Sequence, residues 1–256
     1  MKKYAVITGA SSGIGEVFAK KLAGQGYPLV LIARRKERLQ MVAEEVETKC
    51  EIITADLSVG EECLRVCELL KEKEIEIFIN NAGFGDCGKF VETELKKELS
   101  MIDVNVCAMH IFAKEMLKKM QSQQYGFILN VASSAGLMPG GPYMSTYYAT
   151  KSYVTSLTQG VAQELREMKS PVYLGCLCPG PVDTEFNSVA NVEFALKGIS
   201  ADFCVDYALK MMKKKKMVIV PSLKMRIAMV AGRYLPLSVY IKIAAHQQKK
   251  KFFKKQ

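Results

Sequence analysis

Apolar residues gather in short, nearly continuous runs: YAVIT at 4 to 8, PLVLIA at 28 to 33, EIITA at 51 to 55, IEIFIN at 75 to 80, FILNVA at 127 to 132 and VYLGCLC at 172 to 178. Between them lie longer amphipathic stretches that read as helices. A strand that is apolar at almost every position is buried on both faces, so the pattern predicts a parallel sheet covered by helices on either side. The fold class is therefore α/β: a doubly wound, Rossmann-type parallel sheet in a three-layer αβα single domain. Long helices are expected from about Thr93 to Met120 and from about Ser145 to Met168, and a last strand at MVIVP, 217 to 221. Ser58 and Glu61 have the spacing of a capping box, which predicts a helix start there.

Composition narrows the class without changing it. The 256 residues, 49% apolar and 24% charged, suit one folded domain. The net charge of +10 is unevenly placed: residues 207 to 256 hold fourteen Lys or Arg and no Asp or Glu, whereas residues 1 to 206 carry −4. KKYAVITGA after Met1 is too soon interrupted by a glycine turn to serve as a secretory signal, so a cytoplasmic start is expected. Eight cysteines without a Cys-x-x-Cys pair, and only two histidines, His110 and His246, read as reduced structural thiols and no metal site.

After the first strand comes TGASSGIG, in which Gly9, Gly13 and Gly15, with Ser11, Ser12 and Ile14, open a helix. Glycines there let the backbone approach a pyrophosphate, and the helix N-terminus offers free N–H groups. Alone, such a triplet could be an ordinary strand-to-helix turn; its place after the first strand favours the nucleotide reading. The second strand ends IARRKERL, with Ala33 where an NAD-preferring fold usually has an acidic residue. Arg34 and Arg35 can pair with a ribose 2′-phosphate, so the expected cofactor is NADP(H).

In STYYATKSYV, 145 to 154, Tyr147 lies four residues before Lys151, one helical turn away on the same face, and Tyr148 is expected to face elsewhere as a packing neighbour. A phenol of pKa near 10 is a poor acid or base at neutral pH until nearby positive charge stabilises its anion. Together with ADL at 55 to 57, NNAG at 80 to 83, Asn105 in IDVNV, NVASSAG at 130 to 136 and PGPVDT at 179 to 184, these motifs resemble the short-chain dehydrogenase/reductase family over about residues 3 to 222. The resemblance extends to its hydroxysteroid dehydrogenase and 3-oxoacyl reductase members. It implies catalytic roles for Asn105, Ser133, Tyr147 and Lys151. In it Tyr147 is the general acid or base and Lys151 lowers its pKa and holds the nicotinamide ribose. Ser133 bonds the substrate oxygen, and Asn105 positions a proton-relay water. It also implies cofactor contacts from Asp56 and Leu57 near the adenine, Asn81 along the adenosine, and Val182 and Thr184 near the carboxamide and phosphates. The family's serine commonly precedes its tyrosine by thirteen residues, whereas Ser133 precedes Tyr147 by fourteen. Ser134 would restore the number, but Ser133 keeps the S-x-x-G spacing to Gly136.

Loops beyond the strand ends supply Phe84, Met138, Tyr143, Met144, Phe186 and Phe194, with Leu137, Val189 and Val192 weighed beside them. Their apolar character predicts an apolar ketone or secondary alcohol, with the substrate loop at about 183 to 200. Residues 1 to 222 read as the catalytic domain and 223 to 256 as a basic extension, either pocket-covering or lying on a membrane surface. Pro236 breaks any continuous helix there, and no stretch is long enough to span a bilayer. KKKFFKK at 249 to 255 has the cations and aromatic pair of an anionic-surface anchor, while the bland alternative is that the lysines keep the chain soluble and KKKK at 213 to 216 caps a helix. Nucleic-acid binding is not expected, because no reading module accompanies the charge. By resemblance, dimers or tetramers form through the two long helices. The reading is an NADP(H)-dependent oxidoreductase of cytoplasmic location, with a non-catalytic nucleotide-sensing or membrane-peripheral protein on the same fold as the alternative.

Overall fold

The computed structural model describes residues 3–186, 190, 198–232 and 234–252. Its centre is a seven-stranded parallel sheet in the order β3-β2-β1-β4-β5-β6-β9, built from β1 (Tyr4–Thr8), β2 (Leu29–Ala33), β3 (Cys50–Thr54), β4 (Ile75–Asn80), β5 (Phe127–Val131), β6 (Tyr173–Leu177) and β9 (Val218–Ile219). Each strand is a stretch the apolar runs marked, shifted by no more than a residue or two at its ends. Two further short strands, β7 (Val182–Asp183) and β8 (Ile199–Ser200), pair in parallel beside the sheet.

Side chains alternate between two cores, as strand geometry requires. Ala5 and Ile7 of β1, with Leu29 and Leu31 of β2, join Phe18 and Leu22 of α1 (Gly13–Gly24) on one face. Val6, Val30, Ile32 and Phe78 face the other way, against Phe112 of α5 (Met109–Gln123) and Leu165 of α6 (Ser145–Glu167). The remaining helices are α2 (Lys36–Glu44), α3 (Gly60–Leu69), α4 (Leu95–Ile102), α7 (Ala201–Lys213), α8 (Leu223–Gly232) and α9 (Leu237–Phe252).

Three local expectations meet tertiary facts. The long helix from about 93 to 120 exists, but its middle, Asp103–Ala108, is wound as a π-helix between α4 and α5. Ser58 does not cap α3; its hydroxyl and backbone N–H both bond Asp56 Oδ1, at 2.8 and 3.0 Å, and Val59 occupies the cap position without a side-chain bond. The lysines at 213 to 216 do sit at the end of α7, where the helix dipole favours cations. Pro236 lies between α8 and α9, as its missing N–H dictates.

Candidate active site

The residues that follow each central strand converge on one cavity: Gly9 after β1, Arg34 after β2, Asp56 after β3, Asn81 after β4, Ser133 after β5 and Pro179 after β6. Its volume is about 790 Å³. It lies outside the carboxyl ends of the strands, beside the β1–β4 junction where the sheet order reverses, as doubly wound sheets place their ligands.

One half of the cavity is the β1–α1 turn. Ser11, Ser12, Gly13 and Ile14 border it, and Ser12, the residue before α1, makes no side-chain cap bond. The first-turn N–H groups of α1 are thus left to a ligand, which fits an anionic pyrophosphate. Gly9 has φ +66° and a Cβ there would stand 2.9 Å from the Ala82 backbone, so only glycine fits. Gly15 does not reach the wall; it lets α1 pack onto the Gly9 carbonyl. Asn81 borders the cavity, but its amide nitrogen donates to Thr8 O at 2.9 Å and Gly9 O at 3.3 Å, bracing the turn. Thr8 contributes to the brace by accepting from the N–H groups of Asn81 and Ala82 at 2.9 and 3.0 Å, a role the sequence did not signal.

Arg34 and Arg35 both border the cavity where the second strand ends. Arg35 reaches Ser11 Oγ at 3.4 Å and pairs with Glu185 at 3.1 Å, a half-exposed contact of small energy that a phosphate could replace. Burial disfavours the Asp56 carboxylate, but the two Ser58 bonds and Arg34 outweigh it and hold its pKa below the ordinary value. Leu57, Val182 and Thr184 also border the cavity.

The other half centres on α6. Tyr147 and Lys151 are both buried, and the Lys151 ammonium lies 5.9 Å from the Tyr147 ring centre. Lys151 Nζ donates to Val131 O at 3.0 Å, so the end of β5 fixes the lysine. Burial pushes the Tyr147 phenol up to about 12, opposed by its hydrogen bond with Ser133. Burial also pushes Lys151 down to about 8. Ser133 sets its hydroxyl by accepting from Ala135 N at 3.1 Å. Ser134 is buried beside it and borders the cavity, but the bond to Tyr147 comes from Ser133.

Asn105 stands behind the wall, fully buried in the π-helical segment. Its Oδ1 accepts from Phe84 N at 3.0 Å, and its Nδ2 donates to Phe84 O at 2.9 Å and Thr150 Oγ1 at 3.0 Å. That clamp holds the loop after β4 against α6. The contact is close: a Cβ on Gly83 would stand 2.9 Å from Asn105 Oδ1 and 3.1 Å from Lys151 Nζ. π-helical turns of this kind recur at functional sites.

Phe84, Met138, Met144 and Phe186 line the apolar end, and Phe186 packs on Tyr147 with ring centres 5.5 Å apart. Tyr143 is not on the wall: with φ +66° its carbonyl turns to accept from Gly88 N at 2.9 Å, and its side chain packs behind Met144. Phe194, Val189 and Val192 lie outside the described residues. Tyr148 does not turn away; one residue along a helix is a rotation of about 100°, which brings it to the neighbouring sector of the same cavity.

Sequence reasoning named none of the residues by which the C-terminal helices border the cavity, yet they complete the wall. Met225 and Ala228 of α8, and Tyr240, Ile243, Ala244, Gln247 and Gln248 of α9, border the cavity. The α9 set follows the i, i+3, i+4, i+7, i+8 spacing of a helix face, the signal that would have found it. Among the described residues no group of His, Cys, Asp and Glu could hold a metal ion, and no helix is long and apolar enough to cross a membrane.

A sequence profile of short chain dehydrogenases matches residues 3–193. An uncharacterised oxidoreductase of Staphylococcus epidermidis is 34% identical over 188 residues, 72% of this chain and 79% of that one. Rat 17-beta-hydroxysteroid dehydrogenase type 3 is 31% identical over 217 residues, 82% of this chain and 69% of that one. The solved structure of a short-chain dehydrogenase from Sphingobium yanoikuyae in complex with NADPH superposes with a TM-score of 0.82 at 32% identity, covering 91% of this chain and 93% of that one. With the parallel sheet, the glycine turn and the Ser-Tyr-Lys cluster in place, this chain belongs to the short-chain dehydrogenase family of oxidoreductases.

Proposed function

We propose that the protein interconverts an apolar ketone and its secondary alcohol with NADP(H). The observation that carries this reading is the trio at the cavity: half-buried Ser133 bonded to buried Tyr147, with buried Lys151 one turn along α6. When bound, the nicotinamide supplies or accepts the hydride. Tyr147 gives its proton to the carbonyl oxygen in reduction and removes the hydroxyl proton in oxidation. Ser133 bonds that oxygen and orients it. Lys151 holds the ribose hydroxyls, and its charge stabilises the developing phenolate. The amide of Asn105 is spent on Phe84 and Thr150, so in this chain it is a positioning residue.

Arg34 and Arg35 favour NADP(H) over NAD(H), a preference supported by the NADPH complex of the Sphingobium relative. Apolar walls and the rat hydroxysteroid dehydrogenase support a steroid-like or acyl-chain substrate. In this reading residues 1 to 222 are the catalytic domain, and α8 and α9 of the C-terminal extension cover the pocket. Exposed Leu95, Leu99, Ile102 and Tyr153 on α4 and α6 favour self-association through the long helices, as a dimer or tetramer.

The outer faces of α8 and α9 expose Leu223, Ile227, Val230, Leu237 and Val239 beside Lys224, Arg226, Lys242 and Lys249, which favours peripheral contact with an anionic bilayer. Such contact would present the cavity mouth to a lipid-dissolved substrate. Sedimentation with vesicles containing phosphatidylserine, but not with phosphatidylcholine alone, is the expected result; equal sedimentation with both, or none, removes this part.

The function is tested by following NADPH oxidation, with NADH in parallel, across steroid ketones, 3-oxoacyl thioesters and small ketones. Turnover with NADPH on an apolar class, lost in Tyr147→Phe, is expected. Tight NADPH binding without turnover on any ketone would instead favour a nucleotide-sensing protein.

A further inference from the structure

Of the two amides that α9 contributes to the cavity, Gln247 is exposed and Gln248 is buried. Gln248 is 3% exposed, its Nε2 donates to Tyr148 Oη at 2.6 Å, and its Oε1 has no hydrogen-bond partner among the described residues. Both Gln248 and Tyr148 border the cavity. A buried amide oxygen left without a donor is costly, and native proteins rarely keep one without a use. The same cavity is lined by Met144, Met225, Ala228, Ile243 and Ala244, so Gln248 is the buried amide of α9 on a largely apolar wall.

We propose that Gln248, held by Tyr148, is a specificity-determining residue that binds a hydroxyl of the substrate remote from the carbonyl reacting at Tyr147. This rests on the ketone–alcohol reading above. The chemistry selects a hydroxyl. Whichever way the amide is turned, one of its polar atoms bonds Tyr148 and the other is left without a partner, and a hydroxyl can both donate and accept. The Tyr148 hydroxyl, having accepted from Gln248, also keeps its own proton to give. The substrate is therefore amphiphilic at both ends: a carbonyl at Ser133 and Tyr147, an apolar body, and a hydroxyl at Gln248. Position 248 has this role because the β-sheet domain supplies Tyr148 and the C-terminal helix supplies the amide, so a polar bond ties the lid to the catalytic helix.

The test is equilibrium binding to the full chain saturated with NADP+, which holds a ketone without turning it over. The probes are two matched pairs: a ketosteroid with and without a hydroxyl on the ring farthest from the ketone, and a long-chain ketone with and without a terminal hydroxyl. We expect the wild-type protein to prefer the hydroxylated member of at least one pair by about tenfold or more. In Gln248→Leu that ratio falls to near one, and in Tyr148→Phe, which frees the amide, it falls partway. Equal affinity within both pairs, no binding of either hydroxylated probe, or a ratio that survives in Gln248→Leu overturns the proposal. If Gln248→Leu does not fold, the Tyr148→Phe ratio decides: one unchanged from wild type overturns it. The hydroxyl preference found without turnover of any ketone would overturn the enzyme reading alone.

Discussion

The two walls of the cavity are built differently. The wall made by the sheet ends and α6 has its buried and bracing side chains tied down: Lys151 by Val131, Asn105 by Phe84 and Thr150, Asn81 by Thr8 and Gly9. The wall made by α8 and α9 is loosely attached. α8 has no buried residue, several of the large apolar side chains on both helices face outward, and a side-chain hydrogen bond between Gln248 and Tyr148 joins α9 to the rest. A proton transfer needs groups held within a fraction of an ångström, whereas admitting and choosing an apolar substrate needs shape and a wall that can move. In the proposed function, the tied wall holds the groups that transfer the proton and the loose one selects the substrate.

That division fails if damage to the tied wall spares turnover. Tyr147→Phe should lower kcat for ketone reduction by about 10²–10⁴-fold, since it removes the positioned acid, while the NADPH dissociation constant stays within a few-fold. Single-turnover kinetics and NADPH fluorescence titration read the two separately. Replacing Arg34 and Arg35 together by alanine should raise KM for NADPH by about tenfold or more and leave KM for NADH nearly unchanged, because only NADPH has the 2′-phosphate. Equal effects on both cofactors would place the arginines outside cofactor choice.

The pH dependence sharpens the same contrast. Burial depresses Lys151 to about 8, so its charge is present below that value and lost above it; the phenol, raised to about 12, stays protonated throughout. The kcat/KM for reduction should therefore fall by up to about tenfold per unit as pH rises past 8. A profile flat to pH 10 would show that the lysine charge is not needed. Asn105→Ala leaves the N–H and carbonyl of half-buried Phe84 without their Asn105 partners and should cost about 1–3 kcal/mol of stability, read by urea denaturation. The smallest effect belongs to the loose wall: Ile243→Ala should raise KM a few-fold for bulky ketones and leave small ones unchanged. An equal rise for both would show that α9 supports the site as a whole.

What was legible in the sequence follows the same line. The glycine turn, the two arginines and the Tyr-x-x-x-Lys pair are local patterns, and the structure brings all of them to one cavity. Tyr143 was misplaced because its left-handed backbone and its bond to Gly88 are set by a loop 55 residues away in the chain. Asn81 gave no sign that its amide braces the first turn, and nothing in IDVNV marks a π-helical segment. The capping box at Ser58 lost to Asp56, whose carboxylate is two residues away and better placed.

By itself, the sequence determined the strands, the order of strand and helix, and the residue types at the turns, because strand burial and helix spacing repeat over a few residues. Only the tertiary structure decided which of those side chains face the same space. It seated a basic C-terminal helix over the catalytic one and closed a bond between Tyr148 and Gln248, a hundred residues apart. Local periodicity specifies which face of an element is apolar. The partner that face meets is fixed by the packing of the whole chain, and with it which buried polar atom on that face is left without a partner.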